Sequence, residues 1–559
     1  MHRSAATRGT GRLFACLALA SVLTAPAANA QTDDDVNEAT TIDRDRVDRQ
    51  APQVPLPLPP VETPQGSVEV AASAGGAENV RLTRLRYEGA TLPVEVLDAA
   101  TAPFIGQPLT GENLKKIANA VSVVYAASDI AYYGVSIPAQ TPTAGELTVR
   151  VLEGKIARYS LVNETRSMPT RLIGNIAQRL VDDVPAHKST LERTLSLLRD
   201  IPGQTVAAQV QSTPVPGELA LDLDVKRKQV EVFLNVNNRG VTNVTSATQM
   251  QVAVAINGLL REGDSTRISG YLPFTPERYQ YYSLGHSTPI GSNGTRLAIN
   301  GAYVRSLTQG TNIRGEAKQA GITLSHPLIR SYKRNLTVSL GLDGTDSDNY
   351  FLDTQFGGFK TRALRASASW SSVGKTGGYA ASATLSHGIA GLGAEPFTGY
   401  SEAGFRKANL QLTGVKKLGK RVSLRAGLRG QYSDSLLPTT ERFSMGGPGG
   451  GSAFYQGVVT AESALSGNLE LSSKVLGPPD SSLGISVFGF VDGGLGRSLA
   501  RPVYAIPERD YSLASAGGGV RVSPARGWTA SAQLAFPLKS PLPNLEEDTR
   551  FLFSISKGL

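Results

Sequence analysis

From about residue 229 to Leu559 the chain alternates apolar and polar positions in short segments separated by turn or loop residues. In `NLTVSLGLD`, Leu336, Val338, Leu340 and Leu342 alternate with Thr337, Ser339, Gly341 and Asp343. In `GWTASAQLAFPL`, Trp528, Ala530, Ala532, Leu534 and Phe536 alternate with Thr529, Ser531 and Gln533. A period of two sends successive side chains to opposite faces of a strand. Apolar-out, polar-in segments of about 10 residues are the mark of a transmembrane β-barrel, weak one at a time and persuasive in number. About sixteen of them divide residues 229–559, so an all-β antiparallel barrel is predicted there. A soluble β-sandwich would need larger inner side chains than these Ser, Gly, Thr and Gln residues. The last segment, `RFLFSISKGL`, sets Phe551, Phe553, Ile555 and Leu559 on one face.

Residues 78–228 show a different period. `NVRLTRLRYEG` reads as a strand and Val94–Ala102 as a helix. Leu114, Ile117, Ala118, Val121, Val124 and Tyr125 then recur at helical spacing. Strands `YYGVSIPAQ` and `GELTVRVLEGKI` complete a β-α-α-β-β unit over 78–156. The order repeats over 157–228, with `IARYSLVNE`, the helix `TRLIGNIAQRL`, a second helix for which Ser189 and Glu192 predict a capping box, and strands `TVAAQVQST` and `GELALDLDVKRK`.

Ahead of these units, Arg3, Arg8 and Arg12 precede the apolar run `LFACLALASVLTAPA` and then Ala28-Asn29-Ala30, the pattern of a secretory signal over 1–30 cleaved before Gln31. Cys16, the only cysteine, lies in the apolar run after Phe14 and Ala15, a poor context for a lipid anchor, so the mature chain is expected to lack disulfides and thiolate metal sites. Residues 31–77 are polar and then proline-rich. They read as a linker, with a plug helix before Ala51 as the alternative. No later stretch supplies the roughly 20 apolar residues of a membrane helix. The net charge of +9 is diffuse, without a basic stripe for nucleic acid. His2 leaves with the signal, and His187, His286, His326 and His387 are scattered without metal-ligand spacing. No Gly-x-Ser-x-Gly elbow occurs, so an enzyme is not expected.

Two tandem β-α-α-β-β units of this kind resemble POTRA domains. `IPAQTPTAGELTVRVLEGKI` and `LERTLSLLRDIPG` look like segments of those domains in two-partner-secretion transporters. The connection from about Ser433 to Leu465, between the eleventh and twelfth predicted strands, contains `FSMGGPGGGSAFYQG`. No Lys-Ser/Thr and no helix start follow, which argues against a phosphate loop. Gly446, Gly447 and Phe454 resemble the sixth extracellular loop of the transporter superfamily, which folds into the pore. There an Arg-Gly-aromatic tip pairs with a barrel aspartate, whereas Ser452 stands here for the arginine and Ala453 for the glycine. In `GISVFGFVDGGLG`, Phe490, Asp492 and Gly494 resemble the F-x-D-x-G motif that carries that aspartate. Alternation opposes Leu483, Ile485, Val487 and Val491 to Ser486, Phe488, Phe490 and Asp492, so Asp492 faces the lumen if the first set meets lipid.

Without the arginine, Asp492 has three options: Arg442 or another lumenal arginine substitutes, Ser452 supplies a neutral hydrogen bond, or the loop moves more freely. The resemblance to the two-partner-secretion outer-membrane transporters covers 78–559. It implies two periplasmic α+β POTRA domains and an all-β transmembrane barrel of about sixteen antiparallel strands in the outer membrane. Its implied partners are a secreted exoprotein cargo, outer-membrane lipid and the barrel-insertion machinery during biogenesis, with no nucleic acid and no cofactor. Two alternatives remain: a POTRA-barrel assembly or insertion factor, and a passive porin.

Overall fold

The computed structural model describes residues 67–70, 80–142, 144–162, 170–241, 244–245, 248–308, 310, 313–478, 483–524, 527–543, 545 and 548–559. The expected signal sequence and plug segment lie outside them. The first module is built on strands β1 (Ser67–Val70), β2 (Arg84–Glu88), β3 (Tyr133–Ile137) and β4 (Glu146–Glu153), with helices α1 (Val94–Thr101) and α2 (Gly111–Ala127). Thr110 caps α2 by accepting the Asn113 amide at 3.2 Å. The stripe Leu114, Ile117, Ala118, Val121 and Tyr125 is buried against the sheet, whose order is β1-β3-β4-β2. Strand β1 was read from the sequence as linker. It instead pairs in parallel with β3 and covers that edge, with Val70 packed on the core.

The second module follows after a single residue, with β5 (Lys155–Val162), α3 (Arg171–Asp182), α4 (Lys188–Arg199), β6 (Gln204–Ser212) and β7 (Glu218–Arg227) in sheet order β5-β7-β6. The junction residue is Gly154, where a Cβ would stand 2.8 Å from that of Tyr132. The expected Ser189–Glu192 capping box does not form, because an acceptor from the first module takes its place. The Ser189 hydroxyl and amide donate to Asp129 at 2.5 and 3.0 Å, setting a carboxylate at the positive end of α4.

Sixteen strands, from Val230–Asn237 to Arg550–Gly558, run antiparallel in chain order and close when the last pairs with the first, from Ser554 opposite Asn237 to Gly558 opposite Phe233. Closure leaves no free edge, and alternation supplies the apolar exterior: Leu340, Leu364, Leu469, Val491, Phe536 and Phe551 all point outward and are exposed. The second module sits on the turns at one rim of the barrel. Glu262, in the turn after the second strand, accepts the Leu172 and Ile173 amides at the start of α3, at 2.7 and 3.3 Å. Asp200, just past α4, is held by the Arg330 guanidinium at 2.6 and 2.5 Å.

Burial, above all, pushes the Tyr87 phenol up to about 12 and raises that of Tyr125 as well, with the Glu153 acceptor at 2.7 Å adding to the second shift. The neutral phenol is the folded form. Its contribution is therefore complete below the ordinary value of 10.0 and drains away as pH rises from there toward 12, so hydrogen-exchange protection of the first module is expected to fall across that window. Leu147→Ala, at a wholly buried position of β4, should cost that module about 2–5 kcal/mol. The expected readout is lost exchange protection over residues 80–153, with heat-modifiable migration of the barrel unchanged.

Candidate functional site

Asp492 lies on the thirteenth barrel strand, Gly484–Ser498, and the strand alone sets its direction. Val491 is 52% exposed on the outer face, whereas Asp492 is 7% exposed on the inner one. Phe488 and Phe490 share the inner face, with ring centroids 6.3 Å apart. Gly494 has a steric reason to be glycine: a Cβ there would stand 2.9 Å from the Leu465 carbonyl oxygen and 3.1 Å from the Met445 methyl of the inward loop. The F-x-D-x-G residues therefore place an acid on the lumenal wall next to a gap into which a loop can press.

That loop, residues 433–462, joins the eleventh strand (Val422–Tyr432) to the twelfth (Ser463–Leu476). It descends through a 3-10 turn at Thr439–Glu441 and a short hairpin of Phe443–Met445 with Val459–Ala461. The hairpin ends in a glycine-rich turn in which Gly446 at φ 94° and Gly451 at φ 128° adopt backbone conformations that side chains disfavour. The turn carries its own apolar core. Phe454 and Ala453 are fully buried with Met445 and Val459 against Leu513 of the barrel wall. Gly447 closes the turn by donating its amide to the Phe454 carbonyl at 3.1 Å.

The tip delivers hydrogen-bond donors to Asp492. The Ser452 amide reaches both carboxylate oxygens at 3.1 Å, its hydroxyl reaches Oδ2 at 2.5 Å, and the Gly449 amide reaches Oδ2 at 3.2 Å. From the neighbouring strand the Ser515 hydroxyl donates to Oδ1, and its oxygen accepts the Ala453 amide at 3.3 Å. Among the described residues no lysine or arginine forms an ion pair with Asp492. Of the three options for this carboxylate, the structure takes the neutral one, with Ser452 at its centre. A buried carboxylate is tolerable when several donors replace its water, and this site supplies them without a guanidinium.

Arg442 is not the substitute partner; it is engaged higher in the loop. Its Nε lies 3.0 Å from Glu462, which also receives Arg501 at 2.5 Å. Glu441, next to Arg442, receives Arg365 of the eighth strand and Lys407 of the tenth, each at 2.8 Å. Arg365 simultaneously holds Asp343 at 2.6 Å. Glu441 and Glu462 are wholly buried. Neither was singled out in the sequence, because their partners come from other strands and from the connection at 499–508. Beside this cluster the lumen keeps a polar cavity of about 370 Å³, lined among others by Asn300, Gln319, Asp343 and Arg365.

Three of the histidines take structural bonds. His187 pairs with Asp183 and His326 with Thr295, both at 2.8 Å, and His286 with Thr266 at 2.9 Å. Among the described residues no cluster of His, Cys, Asp and Glu could hold a metal ion.

Comparison with known proteins adds three findings. Residues 217–522, more than half of the chain, match the family of haemolysin secretion/activation proteins ShlB/FhaC/HecB, and residues 80–154 match the ShlB-type POTRA domain. The heme/hemopexin transporter protein HuxB of Haemophilus influenzae strain 86-028NP is 22% identical over 475 residues, covering 81% of this chain and 82% of HuxB. Among solved structures, CdiB from Escherichia coli superposes with a TM-score of 0.72 at 18% identity, covering 92% of this chain and 95% of that one. CdiB from Acinetobacter baumannii gives 0.63 at 16% identity with the same coverage. At these identities the two solved structures speak for the fold: POTRA modules followed by a closed sixteen-stranded barrel.

Ser452→Ala and Ser515→Ala each remove a hydroxyl donor from Asp492. Each is expected to weaken docking of the loop by about 1–3 kcal/mol. Hydrogen exchange over residues 446–458 reads the effect, while heat-modifiable migration reports an intact barrel.

Proposed function

The chain belongs to the haemolysin secretion/activation family ShlB/FhaC/HecB, and from that premise we propose that it is dedicated to exporting one large exoprotein across the outer membrane in an unfolded state. In this reading the two POTRA domains stand in the periplasm and receive the cargo, and the barrel conducts it outward once the inward loop moves aside. The observation that carries the reading is the loop docked on Asp492 inside a closed barrel. A passive porin has no need of two α+β modules fixed to its turns.

The outer membrane holds no ATP. Folding of the cargo outside, which blocks back-sliding, supplies the direction, and the transporter itself carries no catalytic step and needs no cofactor. The second module offers a means of capture, since β6 is an edge strand of its sheet and an extended polypeptide can add to such an edge through backbone hydrogen bonds.

Deleting the protein in its native host, and comparing secreted and surface proteomes with those of the complemented strain, tests the reading. Loss of one large exoprotein is the expected result. Broad loss of barrel proteins would indicate an assembly factor, and an unchanged proteome would return the porin. Removal of residues 78–225 should leave a heat-modifiable barrel that exports nothing. Asp492→Ala should reduce export more than it reduces barrel insertion, and equal losses would make the residue structural only.

A further inference from the structure

Two carboxylates bracket the hairpin of the inward loop: Glu441 just before Phe443–Met445 and Glu462 just after Val459–Ala461. We infer that Glu441 and Glu462 are the positioning residues that hold the loop in the lumen, so that the closed state is anchored at the stem of the loop more than at its Ser452 tip. The inference rests on the reading of this loop as the gate.

The chemistry of the two ends differs. At the tip, Asp492 receives amides and hydroxyls only. Undocking exchanges each of those neutral donors for water, and water entering the lumen satisfies both sides of every broken bond. At the stem, each carboxylate faces two cations and is wholly buried. Glu441 draws Arg365 and Lys407 from two different strands of the wall. Glu462 draws Arg442 from the loop itself and Arg501 from the connection at 499–508.

Arg501 is 1% exposed and fixed in place, since its Nε donates to the Tyr400 carbonyl at 3.0 Å and its Nη1 to that of Leu499 at 2.8 Å. The guanidinium carbons of Arg501 and Arg442 lie 4.5 and 4.9 Å from the centre of the Tyr400 ring. Gln431 of the eleventh strand ties the two halves together, its amide donating to the carbonyls of Glu441 at 3.1 Å and Glu462 at 3.0 Å. Withdrawing the loop takes carboxylates away from cations that are themselves buried in the wall and rim, Arg365, Lys407 and Arg501, which is the costly way to break a buried pair.

Single-channel recording of the full-length protein in planar lipid bilayers tests this without needing the cargo. Glu441→Gln and Glu462→Gln should each raise the fraction of time spent in the large-conductance state by at least about tenfold. Ser452→Ala should raise it less. Heat-modifiable migration shows which variants have folded, and Glu462→Asp, which keeps the charge, should recover part of the closure where a packing role would not. Arg501→Gln removes a cation from the rim instead of the loop and should open the channel by the same logic, which keeps the test decisive if a glutamate variant does not insert. Deletion of residues 446–458 separates the two ideas. If that deletion stays closed, the loop is not the gate and the functional reading fails with it. If it conducts while the glutamine variants behave as wild type, or while Ser452→Ala opens more than they do, the stem anchor is overturned and the transporter reading stands.

Discussion

A sheet of sixteen strands closed on itself encloses more space than its own inward side chains can fill. Much of the rest of the structure answers that constraint. The inner wall is polar because water or another polar surface must meet it, and the small residues on many strands leave room in place of a core. The connection at 433–462 turns inward and brings an apolar cluster around Phe454 to a wall that otherwise offers Ser, Thr and Gly. A loop that enters such a space must also satisfy every polar group it buries. That requirement explains why the amides of the tip find acceptors on the wall and why its stem carries charge.

The two ends of the loop solve the burial of charge in opposite ways. Asp492 is held in a cradle of amides and hydroxyls, the manner in which oxyanions are held elsewhere by backbone donors. Glu441 and Glu462 are matched by arginine and lysine in a network that also includes Asp343. A tip without an arginine therefore does not leave the loop without ionic contacts. They are concentrated at the stem, where the loop, the barrel wall and the connection at 499–508 converge.

How much of this was legible in the sequence follows from how local each feature is. Strand alternation and the helical stripe of Leu114 to Tyr125 are local, and both elements appear where the periodicity placed them. The inward direction of Asp492 is local too, since it depends on the parity of one strand. Its partners are not: Ser452 lies 40 residues away and Ser515 lies 23. Arg442 is a guanidinium close to the tip along the chain, but Glu462 captures it. Glu441 and Glu462 gave no local signal, since the cations they meet, Arg365, Lys407, Arg442 and Arg501, all lie far from them along the chain. The same holds for the start of α4, where Ser189 and Glu192 read as a self-contained cap while Asp129, 60 residues earlier, supplies the acceptor. Strand β1 has four residues, too few for alternation to register, and becomes a strand only because β3 offers it an edge.

That borrowed edge has a thermodynamic meaning for whatever reaches the first module. The outer side of β3 already carries a strand from the same chain, so an incoming polypeptide does not meet vacant backbone groups there. It competes with a ligand that cannot diffuse away, present at an effective concentration on the order of millimolar for a short tether. The corresponding strand in the second module, β6, has no such occupant among the described residues. The two modules repeat one fold, yet the same edge is occupied by the chain itself in the first and, among the described residues, open in the second, the one that adjoins the barrel.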